Sequence, residues 1–141
     1  MRGLLTLGLV CSLACGGDVS TPTSTVMTTA SVAGVWSSAL AYSGVSYPFS
    51  LTLAQSRDVV SGMGIIRDEQ GSHVMGVSNS GVVGNKVTLV MDYTSGAGAA
   101  VRMTITGSVT SSTTIVGVVN VVSPQQAAVP ANTPITLTKT G

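Results

Sequence analysis

Strict alternation of apolar and polar side chains recurs along this chain after residue 33, and it restricts the fold more than any other feature. A period of two puts every second side chain on one face of an extended strand, so each run asks for a sheet with one buried face. In the 47–56 run, Phe49, Leu51 and Leu53 share one face, and Ser50, Thr52 and Ala54 the other. The 86–93 run groups Val87, Leu89 and Met91, and the 101–109 run groups Val101, Met103 and Ile105. Near the end, Ile135 and Leu137 oppose Thr136 and Thr138.

Turn signals separate these runs at short intervals, which is the spacing of an antiparallel meander rather than of βαβ units. The pattern predicts eight strands at 34–42, 47–56, 59–67, 72–78, 84–94, 99–109, 112–122 and 133–140. Hairpin turns are expected at Arg57-Asp58, Asp68 to Gly71, Ser95 to Gly98 and Ser111-Ser112. The 123–132 segment, with two prolines, reads as a loop. A loose internal repeat pairs an alternating strand with a turn and a glycine-bearing return strand. Gly62, Gly64, Gly76, Gly107 and Gly117 fall within strands, where glycine allows bending or close backbone approach. Eight short sequential strands remove both exposed edges by closing on themselves. The expected fold is therefore all-β, an up-and-down meander closed into a small barrel, with a β-sandwich as the alternative.

Composition agrees with this class. Seventeen glycines accompany abundant Ser, Thr and Val, which suit turns and pleated surfaces. Positive mean hydropathy argues against disorder beyond residue 32. Charged residues make up only 8% of the chain, against ~25% in average domains. Apart from Arg2, five Lys or Arg balance five Asp or Glu, so no electrostatic footprint for nucleic acid is expected.

Ahead of the strands, Arg2 supplies a positive charge and residues 3–14 form an apolar run. The run is too short to span ~30 Å of hydrocarbon as a helix and reads as a removable export signal. Ser12-Leu13-Ala14-Cys15 resembles the lipobox of bacterial lipoproteins, with Ser12 where Leu is usual. That resemblance implies a signal peptide at 1–14 and diacylglyceryl attachment at Cys15, the new N-terminus after cleavage. Cys11 fits less well, because bulky Val10 would sit at the cut. An ordinary signal cut at Ala14 or slightly later is the alternative.

Lipid chains would anchor the protein to a membrane without a transmembrane helix. Residues 15–32 then form a lipidated cysteine and Ser/Thr-rich tether, and 33–141 a single domain. The expected location is the cell envelope. Gly16 after Cys15 favours the outer membrane, by the common lipoprotein sorting rule, if the cell has two. No cysteine follows Cys15, so an internal disulfide in the mature domain is excluded.

Gly34-Val35-Trp36, a G-x-W at the start of the first strand of a meander, resembles the calycin superfamily of lipocalins, fatty-acid-binding proteins and avidins. Asp92-Tyr93 is similar to the last two residues of the lipocalin T-D-Y, with Met91 in place of Thr. The resemblance implies that Trp36 closes one barrel end near a basic residue of the last strand, here Lys139. It also implies a small apolar ligand held inside. Candidate contacts are Trp36 with the predicted inward residues Phe49, Leu51, Leu53, Met63, Val87, Leu89, Met103 and Ile105. Avidin-type biotin binding is disfavoured, since that pocket uses several Trp and this chain has one. Small barrels are either packed shut or hold one ligand, and the Met residues suit either state.

Catalytic chemistry finds little support. His73 is the sole histidine, so a Ser-His-Asp site would need Asp58, Asp68 or Asp92 as its orienting carboxylate. No G-x-S-x-G elbow is present. Asp68, Glu69 and His73 flank a predicted turn and read as a solvated hairpin rather than a metal site. No Cys/His cluster suits zinc, and no cofactor is expected. The expectation is a non-enzymatic, lipid-anchored barrel with a small apolar ligand. The alternative is a solid-cored structural or interaction module of the envelope.

Overall fold

The computed structural model describes residues 28–123 and 129–141. Its elements are β1 (Gly34–Tyr42), β2 (Val45–Ser56), β3 (Val59–Asp68), β4 (Gly71–Val83), β5 (Lys86–Thr94), β6 (Ala100–Ser111), β7 (Thr114–Val122) and β8 (Thr133–Lys139). Every strand pairs antiparallel with its sequence neighbours, and β8 returns to β1 to close an eight-stranded barrel. Closure brings the first and last strands of the meander together, as the repeated period of two anticipates.

Alternation decides what the barrel contains. Inward side chains from successive strands, including Trp36, Leu51, Met75, Leu89, Met103, Ile115 and Leu137, merge into one continuous apolar core. Each fully buried side chain of this size contributes ~1.5–3 kcal/mol relative to exposure. Ser, Thr and the charged groups occupy most of the outer positions. This apolar-inside, polar-outside arrangement inverts that of channel-forming membrane barrels.

Glycine lets the core fill at two places. Gly64 faces inward, and a Cβ there would lie 2.6 Å from Leu51 Cδ2 and 3.3 Å from Met75 Cε, so these side chains occupy the space it leaves. Gly107 and Gly117 sit opposite one another across β6 and β7. A Cβ on either would meet the other's backbone, at 2.9 Å from Gly117 and 2.7 Å from Gly107.

The structure corrects three details. Met63 does not face the interior: it is 63% exposed, opposite Thr52 and Gly76 on the outside of the sheet. The inward parity of β3 belongs to Val60, Gly62, Gly64 and Ile66. Strand β4 extends to Val83 rather than ending at 78. Asn79, with φ 49°, and a register shift between Ser78 and Gly81 make a β-bulge inside the strand, past the expected end at 78. The bulge moves the inward parity from Val77 to Ser80 and Val82; Ser80 Oγ bonds Ser78 O and accepts from Val90 N–H. Third, the end of the expected tether belongs to the domain. Val32 is 0% exposed, Ala30 packs on the core, and Gln55 binds both through hydrogen bonds to Ala30 O and from Val32 N–H.

The two ends of the barrel differ. At the end holding both termini of the domain, tight turns at 57–58, 84–85 and 112–113 surround a plug made by Val32 and Trp36. Trp36 Nε1 donates to Val32 O at 2.7 Å, and Lys139 Nζ lies 5.8 Å from the indole centroid. Here β1 and β8 meet, but their register covers only Trp36 opposite Lys139 and Ser37 opposite Thr138. Ser38 Oγ continues the seam by donating to Thr136 O at 2.7 Å. At the other end lie the 43–44 and 69–70 turns, the 95–99 loop and residues 129–132 ahead of β8.

Candidate functional site

Among the described residues, the second end of the barrel brings apolar walls and convergent polar groups together in one candidate site. A cavity of about 230 Å³ opens there. Leu40, Ile66, Val121 and Val129 form its apolar walls, and Tyr42, Tyr47, Tyr93 and Asp68 its polar groups. These are all three tyrosines of the chain. They arrive from β1, β2 and β5, and each is half-buried at the last inward position before or after a turn. The volume lies below the ~300–1,000 Å³ of sites that enclose drug-sized ligands. It suits a small molecule or one end of a longer one.

The rim is built by hydrogen bonds within the β3–β4 turn and within the 95–99 loop, which pack against one another. Asp68 Oδ1 accepts from Gln70 N–H at 2.8 Å and is 2.9 Å from His73 Nε2. The Gly96 backbone lies near enough to the carboxylate to favour its charge, and the Gln70 side chain lies directly against Gly96. Within the loop, Ser95 N–H bonds Ala99 O, Gly98 N–H bonds Ser95 O, and Ser95 Oγ accepts from Ala99 N–H. The Asp68 and His73 side chains are only 13% and 15% exposed, so they do not form the solvated hairpin expected from the sequence. Asp68 follows the inward parity of Ile66, and His73 that of Met75.

Burial works to raise the Asp68 carboxyl, but hydrogen bonds from His73 and Gln70, the His73 charge and the Gly96 backbone outweigh it. The net effect holds the group below its ordinary value of 3.8. Tyr93 shifts upward from 10.0 because of burial first, then the Asp68 charge and Tyr47. Its ring tilts 31° to that of His73 with centroids 6.3 Å apart. Its neighbour Asp92 faces outward and holds Arg102 with bonds of 2.7 and 3.0 Å. Asp68 is therefore an ionised group on a cavity wall that has no Lys or Arg among its described lining residues.

The residues singled out from the sequence separate into three places. Trp36, Phe49, Leu51, Leu53, Val87, Leu89, Met103 and Ile105 come together in the packed interior, each 0–4% exposed. Met63 lies outside the barrel, and Cys15 lies outside the described residues. None of the described ones among these lines the 230 Å³ cavity. The signal missed in the sequence was parity: Tyr47 is two residues from Phe49, Tyr93 two from Met91, and Leu40 four from Trp36. Among the described residues, no group of three His, Cys, Asp or Glu is arranged to hold a metal ion.

Fold and site together define an antiparallel eight-stranded barrel, plugged by Trp36 at one end and opening through a tyrosine-rich mouth at the other. No protein family, curated protein or solved structure matches the chain.

Proposed function

We propose that this protein is an exported, lipid-anchored binding module that takes a small ligand with an apolar body at the mouth of its barrel. The cavity between Leu40, Ile66, Val121 and the three tyrosines carries this reading. Apolar walls with a few convergent polar groups are the usual composition of a ligand site. The closed packing of the interior moves the expected ligand from the barrel axis to its end. Trp36 then serves as a structural plug, with Lys139 over its ring as the lipocalin resemblance implies. Anchoring is assigned to Cys15 on the lipobox resemblance, and the activity is binding rather than catalysis.

A second reading, a solid-cored structural or interaction module, draws on the outer sheet face. Met63, Ile65 and Val74 are adjacent there and exposed at 63%, 48% and 69%. Native mass spectrometry of the protein extracted from its own cells separates the two. A copurifying small-molecule mass that is lost on substitution of Tyr47 supports the ligand site. A consistently empty protein supports the structural module.

A further inference from the structure

We propose that the ligand class recognised at the mouth is an organic cation: an ammonium or quaternary ammonium group on a small apolar body. The inference deepens the ligand-binding reading and rests on it.

Two independent properties of the wall select this charge. The first is aromatic: Tyr42, Tyr47 and Tyr93 bring the chain's full complement of tyrosine rings to one small cavity. Aromatic faces carry negative quadrupole density and attract cations within about 6 Å, most strongly where water is thinned out. The second is formal charge. Asp68 is the single charged group among the lining residues. Its side chain is 13% exposed, and its donors are His73 Nε2 and the backbone N–H of Gln70. These bonds fix the carboxylate at the wall and favour its ionised form.

The basic side chains sit elsewhere. Arg57 belongs to a turn at the plugged end, Arg67 has the outward parity of Ile65 on β3, Lys139 stands over Trp36, Lys86 bonds Ser108, and Arg102 is held outside by Asp92. An anion at the mouth would meet Asp68 with only its hydrogen-bonded partner His73 at hand to offset the repulsion. A neutral apolar molecule would gain the contacts of Leu40, Ile66 and Val121 but leave the carboxylate unused. A cation gains both, and Tyr93, held protonated by burial and by Asp68, adds a donor for a hydroxyl beside the charge.

Calorimetric titration of the full chain at pH 8 with choline and with 3,3-dimethyl-1-butanol tests this. The two probes share a shape and differ by one charge. The expected result is tighter binding of choline by about tenfold or more. Asp68→Asn should remove that preference, and Tyr47→Leu should weaken choline while sparing the alcohol. Emission from Trp36, at the opposite end, reports whether each variant is folded. Equal or tighter binding of the neutral alcohol overturns the cation assignment and leaves the apolar-ligand reading standing. Absence of binding by both probes, up to their solubility limits, overturns the cation assignment and the ligand site with it.

Discussion

Trp36 donates its indole hydrogen to the carbonyl of Val32, four residues earlier, at 2.7 Å, and both side chains are 0% exposed. A segment that reads as tether is thereby pinned beneath the first strand. Trp36→Phe would leave a buried carbonyl without its donor and open a void. The expected loss is about 2 kcal/mol or more, and Trp36→Ala about 3–5 kcal/mol. Urea unfolding followed by circular dichroism measures both without relying on the lost fluorophore.

Close approach of β6 and β7 depends on the facing pair Gly107 and Gly117. Gly117→Ala would push a methyl into Gly107 and the Thr106 carbonyl, which are backbone atoms with nowhere to move. It should destabilise the barrel by about 1–3 kcal/mol. Gly76 lies on the outer face with nothing within 4 Å of a built Cβ and has no positive φ. Gly76→Ala should be neutral or stabilising by up to about 1 kcal/mol. Paired thermal melts distinguish a requirement for close approach from a general sensitivity of strand glycines.

Asp68 and Tyr93 give stability opposite limbs of pH dependence. The folded Asp68 carboxyl lies below 3.8, so its contribution is whole above 3.8 and drains away as pH falls through the lower folded value. Asp68→Asn should cost about 1–2 kcal/mol at neutral pH, with the gap from the native chain closing in acid. Tyr93 is shifted above 10.0, so its contribution is whole below pH 10 and is lost as pH rises through the folded value. Tyr93→Phe should flatten that alkaline loss. Unfolding free energies across pH for the three proteins check each sign.

The lipid anchor predicts a covalent difference. Radiolabelled palmitate fed to the host should enter the native chain and not Cys15→Ala, read by autoradiography after purification. Equal labelling of the two would contradict attachment at Cys15.

Much of the barrel was legible because a period of two is a local signal. Leu51 and Leu53, or Met103 and Ile105, reveal their common face without any knowledge of their partners. Legibility failed where parity was ambiguous. Strand β3 has apolar residues of both parities, as in Val59-Val60 and Ile65-Ile66, so Met63 was assigned the wrong face. It failed again at Asn79, where a bulge uses the same residue types as a turn. The mouth was half hidden: parity puts Tyr47 with Phe49 and Tyr93 with Met91 on inward faces, but the meeting of β5 with the β1–β2 hairpin at one barrel end is a long-range fact that no local spacing records. Asp68 and His73 were visible as a pair, but proximity to a turn suggested solvent, while their inward parity with Ile66 and Met75 placed them at the cavity.

The central claim is that this barrel is solid along its axis and receptive only at its tyrosine-lined end. NMR titration of the protein with 1-hexanol, a small neutral amphiphile, tests it directly by following aromatic and methyl resonances together. The account predicts saturable shifts at Tyr42, Tyr47, Tyr93 and Val121, with Leu51, Leu89 and Met103 unmoved. Shifts centred on Leu51, Leu89 and Met103, or none at the mouth, would contradict it.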